Sequence, residues 1–283
     1  MRFGAPILQP ITSPAQWIDH LRQRHYGAAY SPVPPEADDA TVLRYAEAAR
    51  AAGIVVAEQG AWGVNALSTD AAEREKAIAH CIRQLEIAEL LGARCCVALS
   101  GSRAAKWDAP HADNCSETSF AQVVENTQRI IDAVQPKRTF FTLEPMPWTF
   151  PCDVESQRRL RRAVDRAAYA VHFDPVNMVY SPDRYYRSGH YIREYITALG
   201  PHIRVCHLKD VLLLDAFVFQ LHERIPGDGG LDYAALFTAL DTLDPDLPIV
   251  PEHLSTQADY DRAEGFIRAK VSSLGLSLRV ADA

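Results

Sequence analysis

Four residues put charge where a buried strand should have none. Glu144 ends the run Thr139-Phe140-Phe141-Thr142-Leu143, and Asp174 ends Ala170-Val171-His172-Phe173. His207 lies in Val205-Cys206-His207-Leu208, and Glu252 ends Ile249-Val250-Pro251. A carboxylate left buried and unpaired is costly. A single acidic strand end is commonly a helix cap or an ion-pair partner. Four polar ends on four successive strands instead call for a shared counter-charge. Three carboxylates and one imidazole suit Mn²⁺, Mg²⁺ or Co²⁺ better than Zn²⁺, which favours Cys and His. The expectation is therefore one divalent ion, Mn²⁺ favoured, held by Glu144, Asp174, His207 and Glu252. The gaps between these residues are 30 (144 to 174), 33 (174 to 207) and 45 (207 to 252). The first two each fit one strand-loop-helix-loop module. The third fits one module plus a long loop. Parallel neighbours lie about 4.8 Å apart, so such side chains can converge.

The elements that must hold these residues follow from the alternation of short apolar runs with amphipathic stretches, which predicts a parallel sheet covered by helices. Eight strands are expected near Phe3–Leu8, Ala28–Val33, Ile54–Glu58, Arg94–Leu99, Thr139–Glu144, Tyr169–Asp174, Ile203–Leu208 and Pro248–Glu252. Ser13-Pro14 should open the first helix. Ser68 and Thr69 should open a long helix through Asp70–Leu91, closed by Gly92. Ser181-Pro182 should open a helix ending near Leu199-Gly200, and Thr256 should cap the last long one. No G-x-G-x-x-G follows the first strand, and the polar groups sit at the C-terminal ends of several strands. Both points favour a closed (β/α)₈ TIM barrel over an open doubly wound sheet. The 283 residues fit one such domain, 1–283, with no internal boundary. Residues 100–116 and 212–230 are expected to be loops over the barrel mouth.

Composition excludes several classes. Net charge is −7, against the basic face of a nucleic-acid binder. The run Arg158, Arg159, Arg161, Arg162 and Arg166 fits the solvated face of one helix. No apolar run reaches the length of a membrane span, and the N-terminus lacks a signal-peptide pattern. The cysteines show no C-x-x-C pairing and read as free thiols, so a cytoplasmic location is expected.

The segments L-E-P (143–145), F-D-P-V-N (173–177), H-L-K-D (207–210), P-G-D-G-G-L-D-Y (226–233) and E-H-L (252–254) resemble the xylose-isomerase-like TIM-barrel superfamily. Within it they are most similar to the sugar phosphate isomerase/epimerase group, as is Ala57-Glu58-Gln59-Gly60-Ala61-Trp62. The resemblance covers nearly the whole chain. It implies the same four metal ligands, and it gives Glu144 and Glu252 a second role as acid/base groups on opposite faces of the substrate. Lys209 falls on the lysine of the H-x-K-D motif, which faces substrate in some members. Two positions depart from ketose 3-epimerases: Asn177 replaces a histidine, and Leu213 replaces an arginine. The related AP endonucleases need extra histidines for a three-metal cluster. Asn177 removes one, so a single metal is expected.

The implied reaction is isomerisation or epimerisation of a sugar or keto-sugar through an enediolate stabilised by the metal. The same site serves a lyase, dehydrating an inosose or eliminating a group from an oxidised glycoside. An AP endonuclease-like DNA repair enzyme is the less favoured alternative. A homo-oligomer is implied by resemblance alone. Lys209 is a candidate proton donor or a partner of Asp210. Glu58 is a substrate hydrogen-bond partner or pairs with a neighbouring strand end. Asn177, His222, Trp62 and Trp148 are candidate substrate contacts, since aromatic rings suit the apolar faces of sugars. His172 is expected to be a core histidine with a partner, and His253 a supporting residue. Gly227-Asp228-Gly229-Gly230 could offer backbone N–H groups to an anion, but Asp228 disfavours one.

Overall fold

Buried on both faces, the strands are short and the helices between them cover the outside. The structure, a computed structural model, describes residues 1–281. The strands that form the barrel are β1 (Arg2–Phe3), β2 (Ala28–Ala29), β3 (Val55–Val56) with β4 (Glu58–Gly60), β5 (Cys95–Ala98), β6 (Phe141–Leu143), β7 (Val171–Phe173), β8 (Ile203–Leu208) and β11 (Pro248–Pro251). β3 and β4 are one barrel position interrupted at Ala57, whose N–H still donates to the Ala29 carbonyl at 2.7 Å. The remaining two strands, β9 (Asp210–Leu213) and β10 (Leu221–Arg224), form an antiparallel hairpin outside the ring.

Backbone pairing runs around the whole ring in parallel. β11 pairs with β1 (Phe3 beside Ile249), β2 with β3, β4 with β5, β5 with β6, β7 with β8, and β8 with β11. The two remaining joints are made by one and two hydrogen bonds. Gly27 N–H donates to the Phe3 carbonyl at 2.9 Å, while Phe141 N–H donates to the Ala168 carbonyl at 2.9 Å and Ala170 N–H to the Phe141 carbonyl at 3.0 Å. At the first joint Gly4 is required by space, because a Cβ there would fall 2.0 Å from the Ala28 carbonyl oxygen. The eight-stranded barrel expected from sequence is the observed fold. Its interior is filled by Ala57, Cys95, Val97, Val205 and Val250, all fully buried. A larger apolar cluster lies between the strands and the surrounding helices.

The helices follow their caps. Ser13 accepts from Gln16 N–H ahead of α1 (Pro14–Gln23), and Asp38 accepts from Thr41 N–H ahead of α2 (Asp39–Ala51). α3 (Ala71–Leu91) ends at Gly92, which has φ 73°. Its N-cap is Asp70 and not Ser68 or Thr69, because the Ser68 hydroxyl is donated to Glu73. α4 is Glu117–Val134 and α5 is Val154–Val164. Three of the five arginines on and just after α5 form salt bridges, Arg159 to Glu117, Arg162 to Glu155 and Arg166 to Asp132.

Two expectations are corrected. The helix opened by Ser181-Pro182 is two helices, α6 (Pro182–Tyr186) and α7 (Ser188–Leu199), broken at Arg187. The break lets Ser188 and Gly189 press against the start of α8 (Tyr233–Leu240): Asp232 N–H donates to Ser188 Oγ, and a Cβ on Gly189 would strike the Asp232 carboxylate. Residues 212–230 are not a plain loop, because their first half is the hairpin of β9 and β10. Its tip is apolar and open to solvent, with Phe217 fully exposed. The last helix, α9 (Gln257–Ser273), is capped by Thr256. No described helix is long and apolar enough to cross a membrane. The six cysteines are unpaired.

Candidate metal centre

The barrel register sets the site. Phe173 pairs with Cys206 and Val250 pairs with His207. Asp174 therefore stands beside His207, and Glu252 lies two residues beyond Val250 on the same face. Side chains two apart on a strand share a face, so His207 and Glu252 continue the inward layer begun by Val205 and Val250. Glu144 follows β6 directly, and its N–H still donates to the Ala98 carbonyl at 2.9 Å. One ligand atom from each of Glu144, Asp174, His207 and Glu252 lies within 4.8 Å of the others. All four are buried or nearly so.

Each ligand is oriented by a second contact. Asp174 Oδ1 accepts the N–H groups of Val176 (2.9 Å) and Asn177 (3.0 Å), which turns Oδ2 inward. Asn177 Nδ2 donates to Glu144 Oε1 at 3.1 Å. His207 Nε2 lies 3.1 Å from Glu58 Oε2, leaving Nδ1 to face Glu252 Oε1 at 2.7 Å and Glu144 Oε1 at 3.4 Å. The same Glu58 oxygen lies 3.1 Å from His172 Nε2, and the two imidazoles meet edge to face. Carboxylate–imidazole–ion chains of this kind fix the ring and its tautomer in metal proteins.

The donor set fits a divalent ion. Asp174 Oδ2, His207 Nδ1 and Glu252 Oε1 are buried, and none has a hydrogen-bond partner of acceptable geometry. Buried polar atoms are normally satisfied. The three atoms are aimed at one point and come from residue types that ligate hard cations, and the carboxylate oxygens among them already hold the Lys209 ammonium.

Lys209 brings positive charge to the site. Its side chain is 1 % exposed, and Nζ lies 2.8 Å from Asp174 Oδ2, 2.5 Å from Glu252 Oε1 and 3.6 Å from Glu144 Oε1. Nζ also donates to Asn177 Oδ1 at 3.2 Å. Burial alone would lower the lysine pKa, but Asp174, Glu252 and Glu144 outweigh it and hold the ammonium well above its usual range. Burial likewise works against a charged His207, yet Glu252 and Glu58 hold it well above the usual imidazole value. Burial would raise Glu252, but His207 and Lys209 keep it well below the carboxylate range. Glu58 is brought down to about 2, with the nearby histidines overcoming its burial.

Lys209 does not pair with Asp210. That carboxylate faces away and accepts the N–H groups of Val211 (2.8 Å), Gly227 (2.9 Å) and Leu231 (3.0 Å). Gly229 packs so closely that a Cβ would fall 2.3 Å from Asp210 Oδ1. The glycine-rich segment 227–230 is thus a cradle for Asp210, and its inward N–H groups are not free for an anion. Burial raises the Asp210 pKa against these hydrogen bonds.

Above the carboxylates lies a cleft of about 890 Å³. Glu144, Glu252, Lys209 and Asn177 form its base, and Trp62, Trp107 and Trp148 stand around it. Of the candidate substrate contacts, Trp62, Trp148, Asn177 and Lys209 line this cleft. Glu58 does not, because it lies beneath His207. His222 is exposed on β10 and does not line it either. Glu223, the next residue, does, and its Oε2 holds His253 Nδ1 at 3.2 Å. His253 Nε2 is 3.6 Å from Glu252 Oε2. His253 adopts φ 59°, which strains a non-glycine residue. Glu223 raises its pKa first, against burial. Alternation along β11 gives no hint of this placement, since it depends on that left-handed turn.

Comparison with known proteins agrees with this architecture. None of the curated proteins matches the sequence. Endonuclease IV from Thermus thermophilus superposes with a TM-score of 0.72 at 18 % identity, covering 96 % of this chain and 100 % of that one. The 3-keto-D-glucoside 4-epimerase from E. coli gives 0.66 at 14 %, covering 97 % and 99 %. A xylose isomerase-like TIM barrel protein from Mycobacterium smegmatis, solved in complex with magnesium, gives 0.65 at 15 %, covering 93 % and 90 %. At these identities the likeness is one of fold. The family described as xylose isomerase-like TIM barrel matches residues 23–270, nearly the whole barrel, and the chain belongs to that family.

Proposed function

We propose that the protein is a divalent-metal-dependent isomerase or epimerase of a keto-sugar, working by proton transfer next to a carbonyl. The observation that carries the reading is the convergence of buried Glu144, Asp174, His207 and Glu252, with one possible ligand atom from each within 4.8 Å of the others, at the base of an open cleft. Glu144, Asp174, His207 and Glu252 would hold the ion, Mn²⁺ by preference. Bound there, it would polarise a carbonyl oxygen and offset enediolate charge. Glu144 and Glu252 enter the cleft from strands on opposite sides of β7 and β8, so either can take the proton from the carbon beside the carbonyl. The C–H electron pair becomes the enediolate double bond, and the carbonyl oxygen takes the negative charge. For epimerisation the other glutamate, protonated in turn by Lys209, delivers a proton to the opposite face of the same carbon. For isomerisation the proton goes to the former carbonyl carbon, while the neighbouring hydroxyl gives its proton to the new alkoxide. Lys209, held by Asn177 beside both glutamates, can donate to the developing oxyanion or shuttle the proton.

Asn177 serves here as the residue that ties Lys209 to Glu144. The nuclease alternative is disfavoured by the acidic lining of the cleft, where Asp108, Glu144, Glu223 and Glu252 would face a phosphate backbone. The test is α-proton exchange in deuterated water on the Mn²⁺-loaded enzyme, alongside elemental analysis. Glu144→Gln and Glu252→Gln are each expected to slow exchange by about 10²-fold or more. If exchange survives in both variants, proton transfer by these carboxylates is wrong.

A further inference from the structure

The cleft is larger than the reaction needs. Chelation of a ketone and its neighbouring hydroxyl engages one sugar ring at the floor, beside Glu144, Glu252 and Lys209. At about 890 Å³, the space sits near the top of the range of about 300–1,000 Å³ that holds ligands of drug size. The rest of it is walled by Trp62, Trp107 and Trp148. Two of these rings are held in place. Trp148 Nε1–H donates to the Asp108 carbonyl at 3.0 Å, so the indole is anchored at its polar edge. Trp62 lies directly over Gly60, where a Cβ would fall 2.0 Å from its Nε1, and it remains 38 % exposed. Aromatic side chains lining an open cavity, two of them anchored, offer a platform for the apolar face of a second ring.

The charges around the cleft restrict that ring further. Its acidic groups are Glu144, Glu223, Glu252 and Asp108. Its lysines are both engaged: Lys209 by the three carboxylates of the floor, and Lys106 by Asp108 at 2.9 Å. In the glycine-rich segment Gly227 N–H donates to Asp210, Asp228 N–H to the Ile225 carbonyl and Gly230 N–H to the Val211 carbonyl. Away from the floor, a phosphate or carboxylate on the second ring would meet Glu223 and Asp108, which already hold the neighbouring cations His253 and Lys106.

We propose that the substrate is an uncharged two-ring keto-glycoside. Its oxidised ring lies on the carboxylate floor, and its second ring lies among Trp62, Trp107 and Trp148. This rests on the enolisation reading above, and it adds substrate size and charge.

The experiment uses the Mn²⁺-loaded full chain and three probes: a 3-keto disaccharide, D-fructose and D-fructose 6-phosphate. Steady-state exchange in deuterated water reads turnover, and tryptophan fluorescence reads binding. The disaccharide is expected to exceed D-fructose in kcat/KM by about tenfold or more, as one well-formed aromatic platform would give. The phosphate ester should do no better than D-fructose. Trp107→Ala and Trp62→Ala should each shrink that preference, chiefly through KM. The proposal is overturned if D-fructose or its phosphate matches the disaccharide, if the preference survives both substitutions, or if the disaccharide neither binds nor exchanges. Equal exchange of all three probes would leave enolisation standing and remove the substrate class. Trp107-dependent binding of the disaccharide with no exchange of any probe would do the reverse.

Discussion

Glu58 illustrates how much a single residue can hide. It is a buried carboxylate whose one oxygen serves two histidines. Its effect on an ion in the site is exerted through His207. Glu58→Gln keeps the shape but removes the charge that fixes the ring. The expected result is a drop in Mn²⁺ affinity of about 10–100-fold with the fold retained, measured by calorimetry and circular dichroism. His207 also sets a pH dependence. Its folded pKa is raised well above 6.5, so its contribution to metal-free stability is complete below that value and is lost as pH rises through the folded value. A dication needs Nδ1 without its proton, so affinity climbs over the same range, by about tenfold per pH unit for one proton released. Between pH 7 and 9 the metal-free melting temperature should fall while the gain on adding Mn²⁺ grows. A gain that shrinks with pH would contradict this.

The four ligands are legible in the sequence because buried strands leave no reason for charge. Glu58 is visible there only as a polar strand residue, since nothing in its neighbours says that its carboxylate turns beneath His207. The sequence offers His222 and Glu223 together as loop residues near the site, and only the hairpin decides that Glu223 meets the cleft.

At the scale of elements, that hairpin marks where sequence signals end. β9 and β10 are joined through Asp215, Ala216, Phe217, Val218, Phe219 and Gln220, with none of the Asn-Gly or Asp-Gly pairs that mark a tight turn. The eight barrel strands are readable because each is an apolar run bounded by helix caps. The break at Arg187 is not, since it answers to Asp232 across the sequence. Two glycines carry predictions here. Gly229→Ala would drive a methyl into Asp210, and the expected loss is about 1–3 kcal/mol of stability in urea melts. Gly60→Ala cannot coexist with the present position of Trp62. It should move the indole and raise KM for a two-ring substrate, while far-ultraviolet circular dichroism stays close to wild type.

For the whole molecule, an ion bound at the proposed site would be a folding ligand as well as a reagent. The floor of the barrel mouth gathers Glu144, Asp174 and Glu252 around one lysine. An ion that binds only the folded chain adds about 2.7 kcal/mol at a hundredfold excess over Kd. For a chain of this size that is about 5–10 °C of melting temperature. Scanning calorimetry with and without a chelator checks it, and a shift near zero would mean that no ion occupies the floor.

The Asp210 cradle has a consequence for how this barrel can vary. Asp210 and the Gly227–Leu231 segment are clasped to each other by hydrogen bonds, so the chain between them leaves the barrel and returns at almost the same place. Whatever lies between the two halves of the clasp is a closed excursion. Its length can change without pulling on His207 or Lys209, because loop closure costs grow only slowly with length. Nature or an engineer could trim the tip at Phe217, or graft a new segment there, and redesign the roof of the cleft while the floor stays as it is.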